Sequence, residues 1–133
     1  MKAKAYYYQG RVYKDMQQVE KAALCFKKAE TVANGTKEYR LQALICNHLA
    51  NLSLYQNLYE DALSWNKKAY KAMLQSGDTA STYFILRDMA RSTTFLQKYD
   101  QSFVYFNEAL SIADRYKNKQ IESVRSEERR VGK

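Results

Sequence analysis

The sequence predicts an all-α fold, a right-handed α-solenoid of three antiparallel helix hairpins with the start of a fourth unit. Three observations carry this. The chain resembles itself at a shift of forty residues around the stretch Leu49–Ala69: Gly10, Ala50 and Ala90 fall in one column, Ala22, Ala62 and Ser102 in another, Ala29, Ala69 and Ala109 in a third. Self-similarity at such a period marks stacked units, none of which buries its apolar face alone. The 133 residues include no proline and only four glycines, which leaves long helices uninterrupted. Between the turn signals, apolar residues recur three and four apart, the spacing of one helix face.

Taken in order, residues 3–16 open the first helix, with Tyr6, Gly10 and Tyr13 on a shared face. Glycine inside a helix costs ~1 kcal/mol relative to alanine. Close approach of a partner helix compensates, and the same demand keeps Ala50 and Ala90 small. Val19, Ala22, Ala23, Phe26 and Ala29 form an amphipathic second helix that stops at Asn34-Gly35, because glycine enters the left-handed region without a Cβ penalty. The third helix starts at Thr36 or Lys37 and presents Leu41, Leu44, Ile45, Leu49 and Leu52. A turn at Gln56-Asn57 leads into a fourth, with Tyr59, Ala62, Leu63, Ala69 and Met73, which Ser76-Gly77 ends. Asp78 or Thr79 is the N-cap of the fifth. Leu86, Met89, Ala90 and Phe95 build that helix; Tyr99, Phe103, Phe106, Ala109 and Leu110 build the sixth.

The units are thus 3–35, 36–77 and 78–118, an array over residues 1–118. After Lys117-Asn118 the pattern begins again, but residues 125–133 lose the small-residue register and are almost wholly polar. Residues 119–133 are therefore a terminal helix that solvates the end of the stack, or a truncated or non-native tail. Such a tail covers helix six poorly, which makes end-to-end self-association an expectation.

Composition narrows the class. A chain 46% hydrophobic and 14% aromatic can bury a core, which argues against global disorder. The formal charge of +8 is uneven: residues 1–35 hold seven Lys/Arg against three acids, residues 77–118 five against five. That gradient favours an acidic partner near the first unit. The plainer reading is solubilising surface charge, and a nucleic-acid protein concentrates its charge in one stripe. No apolar run approaches the ~18–20 residues of a membrane span, and the N-terminus lacks the apolar region of a signal peptide. Cys25 and Cys46 fit no metal spacing and sit on apolar faces as small hydrophobes. Two unpaired cysteines lean toward a reducing compartment, hence the cytoplasm, with an extracytoplasmic sensor region of a larger protein as the alternative.

The columns resemble the tetratricopeptide repeat (TPR), a helix-turn-helix unit with an aromatic-x2-Leu-Gly-x2-Tyr first helix and an Ala-x3-Phe second. The first helices supply Tyr6-x2-Gln9-Gly10-x2-Tyr13, Cys46-x2-Leu49-Ala50-x2-Ser53 and Leu86-x2-Met89-Ala90-x2-Thr93. The second supply Ala22-x3-Phe26, Ala62-x3-Asn66 and Ser102-x3-Phe106. The match covers roughly residues 3–117. It departs from the family in its longer period, ~34 being usual, and in lacking the closing proline. Long-period arrays of this look are similar to those of bacterial signalling regulators and kinesin light chains.

Family arrays present their first helices on a concave groove. The resemblance implies that Tyr7 and Arg11, Asn47 and Asn51, and Arg87 and Arg91 line it, with Lys14, Tyr55 and Phe95 extending the face by a turn. Asparagine offers a donor and an acceptor for an extended backbone, arginine grips carboxylates through two donors, and the aromatics add apolar contact. The implied partner is a protein, as an acidic peptide or a helix in the groove, within a larger signalling or regulatory protein. Two other readings compete: Asn47 and Asn51 are merely solvated, or they tie one repeat to the next. Tyr7 and Arg11 stand where the best-known peptide clamp has lysine and asparagine, which argues against that specificity. Lys27-Lys28 and Lys67-Lys68 read as a solvated outer face, Trp65 as packing between repeats.

No catalytic constellation emerges. His48 is the only histidine, reads as a surface residue, and has no cysteine or carboxylate at ligand spacing. Glu60, Asp61 and Asp88 are scattered acids with no reason for raised pKa values, and no glycine-rich phosphate loop occurs. The expectation is a non-enzyme with no metal and no cofactor. The alternatives are a nucleic-acid-binding module that uses Arg11, Lys14, Arg87 and Arg91 with Tyr7 and Tyr55 as stacking platforms, and a purely structural spacer.

Overall fold

A computed structural model of the chain describes residues 2–131, with side chains through Tyr116. Six helices follow one another: α1 (Lys2–Asp15), α2 (Val19–Ala33), α3 (Tyr39–Tyr55), α4 (Tyr59–Gln75), α5 (Thr82–Phe95) and α6 (Tyr99–Val131). No strand occurs among the described residues. Packing is densest within the pairs α1–α2, α3–α4 and α5–α6, with α2 on α3 and α4 on α5 between them, so three hairpins stack as an all-α repeat fold.

The turns differ by position. Inside each hairpin the corner residue is Gln17, Asn57 or Gln97, all at φ between 61° and 65°. Between hairpins it is glycine: Gly35 and Gly77 have φ of 85° and 84° and stop α2 and α4 as the sequence predicts. The third helix begins at Tyr39 rather than at Thr36 or Lys37. The Thr36 hydroxyl donates to the Ala33 carbonyl (2.6 Å) and accepts from the Glu38 N–H (3.3 Å), which holds residues 36–38 in a turn. The N-cap of α5 is Ser81 and not Asp78 or Thr79: Asp78 accepts from the Ser81 N–H (3.2 Å) and the Ser81 hydroxyl (2.6 Å) in the preceding turn, and the helix starts at Thr82. At the other end α6 runs through Lys117-Asn118 without a turn. The sequence-level reading of the 119–133 tail concerns side chains outside the described residues.

Two apolar clusters hold the stack. One joins Ala3, Tyr7, Ala22, Phe26 and Ala29 to Ile45, Leu49 and Leu52; the other joins Ala43, Cys46, Leu63 and Met73 to Ile85, Leu86, Met89 and Ala109. Leu44 and Trp65 pack against both. Gly10, Ala50 and Ala90 are buried, and a Cβ at Gly10 would meet the Phe26 ring at 2.8 Å. Burial pushes the Cys46 thiol up to about 11, as expected of a packing residue. Lys27, Lys28, Lys67 and Lys68 are exposed, and Lys68 Nζ reaches across to Glu30 (3.3 Å). No helix among the described residues is long and apolar enough to cross a membrane.

Candidate partner-binding face and the seams beneath it

The nine residues expected to line a groove separate into two layers. Arg11, Arg87 and Arg91 are exposed on the first helix of each flanking hairpin, and Tyr55 and Phe95 are exposed at the ends of α3 and α5. Lys14 and Asn51 are half-buried. Tyr7 and Asn47 depart from the expectation: they are only 6% and 8% exposed, because each turns into the contact between neighbouring hairpins. They tie repeats together, which is one of the alternatives the sequence left open for Asn47.

At the first seam, Tyr7 of α1, Phe26 of α2 and His48 of α3 meet. The imidazole stacks on Phe26 (4.9 Å between ring centres, 6° between planes) and lies edge-on to Tyr7 at 5.5 Å. Lys14 Nζ stands 3.1 Å from His48 Nδ1, and the Tyr7 hydroxyl 3.3 Å from Nε2. An ammonium has no acceptor, so Nδ1 must be the bare nitrogen and Nε2 carries the hydrogen, which it donates to Tyr7. Burial first, then the Lys14 and Arg11 charges, lower the His48 pKa to about 4. The sequence reading of His48 as a surface residue is therefore corrected: it is a half-buried, neutral seam residue. Arg11 lies over the faces of Tyr7 and Tyr8, 5.8 and 6.0 Å from the ring centres.

At the second seam, Asn47 of α3, Asn66 of α4 and Asp88 of α5 occupy the corresponding places. Asn47 Nδ2 donates to Asn66 Oδ1 (3.4 Å) and Asp88 Oδ2 (3.3 Å), and Asn47 Oδ1 accepts from Asn51 Nδ2 (3.4 Å). Asp88 is 5% exposed, and its burial raises the carboxyl pKa against the pull of Asn47, Arg87, Arg91 and Lys14. The sequence reading that no acid has reason for a raised pKa fails here. Arg87 Nε and Arg91 Nη1 approach Asp88 Oδ1 at 3.9 and 3.7 Å, long pairs in which both guanidinium groups stay about half exposed.

At the far end of the face, Phe95 stacks on Tyr59 (4.7 Å, 6°), which joins the end of α5 to the start of α4. Tyr55 is 76% exposed. Asp88 and His48 are the residues that sequence reasoning missed. For Asp88 one signal existed: Asn66 stands in the column of Phe26 and Phe106, and a polar residue at an apolar position calls for a polar partner; for His48 there was none.

No family model and no curated protein matches the chain. Among solved structures it is similar to the TPR domain of Arabidopsis FLU, with a TM-score of 0.77 at 15% sequence identity, over 86% of this chain and 96% of that domain. The likeness is one of fold: the chain has a TPR-like helical-repeat architecture.

Proposed function

We propose that the chain is a non-enzymatic protein-interaction module that holds an acidic peptide or helical segment against the face of α1, α3 and α5. The supporting observation is that Arg11, at the first seam, and Arg87 and Arg91, at the second, are all exposed. Asp88 is one carboxylate facing two arginines at long distance, so each keeps donors for a partner's carboxylate. Exposed Tyr55 and Phe95 supply apolar contact at the far end of the same helices. Within a signalling or regulatory protein, such a module recruits a partner and leaves the chemistry to other domains. Nucleic acid is the weaker reading, because Tyr7, one of its two proposed stacking platforms, is buried.

The test is selection from a displayed random-peptide library, followed by affinity measurement of an enriched peptide. The variant Arg11→Ala/Asn51→Ala/Arg91→Ala spares buried Asn47 and its donation to Asn66 and Asp88, and removes from the second seam only the Asn51 amide and the long Arg91 pair. Enriched peptides rich in Asp and Glu, bound about tenfold or more weaker by the variant, are the expected result. Enrichment without acidic bias, or equal binding by the variant, refutes the reading. Binding of single-stranded RNA that falls steeply with salt would favour the nucleic-acid alternative.

A further inference from the structure

Beside Tyr7, between the N-terminal half of α1 and the first turns of α3, lies a cavity of about 520 Å³. Tyr7, Tyr8, Tyr39, Leu41 and Leu44 give it aromatic and aliphatic walls. Lys4, Lys37 and Arg40 stand around it against the single acid Glu38. Arg40 is held by its ion pair with Asp78, on the loop that follows α4. Lys4 and Lys37 take part in none of the ion pairs found among the described residues. The volume falls within the roughly 300–1,000 Å³ of pockets that enclose small ligands. Apolar walls beneath a cationic rim select a group that is apolar at one end and anionic at the other, because the walls reward burial while the rim disfavours a cation.

We infer that this cavity is an anchor pocket for one aromatic side chain of the bound segment, flanked by carboxylates that Lys4 and Lys37 receive. The inference rests on the reading of the first-helix face as an interaction surface and names the chemistry at its α1 end. Tyr7 belongs both to the pocket wall and to the first seam, and Lys4, Tyr8 and Arg11 follow one another at helical spacing along α1, so the pocket lies about one turn from Arg11. A segment that reaches the arginines with its acids can place a single ring in the pocket.

The probe is 3-phenylpropionate, an aromatic ring with one carboxylate, titrated at millimolar concentration into the isotopically labelled full chain and followed by backbone amide shifts. Saturating shifts at Tyr7, Tyr8 and Tyr39–Leu44 are expected. Neutral 3-phenylpropanamide and ring-less propionate should each bind about fivefold or more weakly. The surface variant Lys4→Glu/Lys37→Glu should lose about tenfold in affinity with an unchanged thermal midpoint. Absence of saturable shifts at those residues, an equal response to propionate, or indifference to charge reversal would overturn the assignment. The variant Arg11→Ala/Asn51→Ala/Arg91→Ala should retain the probe. If it loses peptides while the probe never binds, the pocket fails and the face stands; if the probe binds but no peptide does, the face fails and the anchor role with it, while the pocket's ligand chemistry stands.

Discussion

The two seams occupy equivalent places in successive hairpins yet are built from opposite chemistry. Tyr7, Phe26 and His48 become Asn47, Asn66 and Asp88 one repeat further on, each shifted by forty positions. In the first, a neutral imidazole is wedged against aromatic rings, and its stability comes from area removed from water and ring geometry. In the second, a buried carboxylate accepts from the Asn47 amide, and its stability depends on whether each buried polar group keeps its partner. Buried small residues, Gly10, Ala50 and Ala90, recur at the same forty-residue spacing in both. The side chains between them are then free to change as a set, although not one at a time.

The largest effect should come from the aromatic seam. Phe26→Ala removes the ring that touches His48 and fills the space over Gly10, and should destabilise the chain by about 3–5 kcal/mol in urea unfolding. A loss below about 1 kcal/mol would mean that this seam is not held by its rings. In the polar seam, Asn47→Ala takes the amide donor from both Asn66 and Asp88 and should cost about 2 kcal/mol. The double variant Asn47→Ala/Asp88→Ala should cost clearly less than the two single losses added together, since the carboxylate that lost its donor is gone.

Acid titration separates the seams by sign. The His48 pKa is about 4 in the fold against 6.5 ordinarily, so its contribution is complete above pH 6.5 and is lost as pH falls toward 4. With partial exposure discounted, the loss is about 1–2 kcal/mol. The raised carboxyl of Asp88 acts in the opposite direction: stability falls as pH rises from the ordinary carboxylate value through the folded one. Urea midpoints measured from pH 4 to 8 should therefore flatten at the acid end in His48→Gln. An unchanged acid limb would contradict a half-buried, neutral imidazole. The smallest effect belongs to Arg91→Gln, expected to change stability by less than about 1 kcal/mol because its pair with Asp88 is long and half exposed.

Much of the architecture was legible because two signals are local. Glycine at 35 and 77 marks a left-handed stop whatever surrounds it, and the small columns at Gly10, Ala50 and Ala90 mark close approach. The site was less legible because a helix pattern shows which face is polar but not which neighbour will lie on it. His48 reads as a surface residue, Asn47 as groove-lining and Asp88 as a scattered acid until a second helix lies against them. Thr36 misled for the opposite reason: its hydroxyl satisfies the backbone locally and delays the helix.

The turns divide into corners and joints of unlike tolerance. Gln17, Asn57 and Gln97 enter the left-handed region with full, exposed side chains, at corners held by backbone hydrogen bonds to the end of the preceding helix. Gly35 and Gly77 have nothing within 4 Å of where a Cβ would stand, so only backbone conformation restricts them. A substituted joint therefore meets no clash, and what it strains is the backbone of the link between one hairpin and the next. Drift at the corners changes how firmly a unit closes; drift at the joints changes how successive units are pitched, and with it the curvature offered to whatever lies along the array.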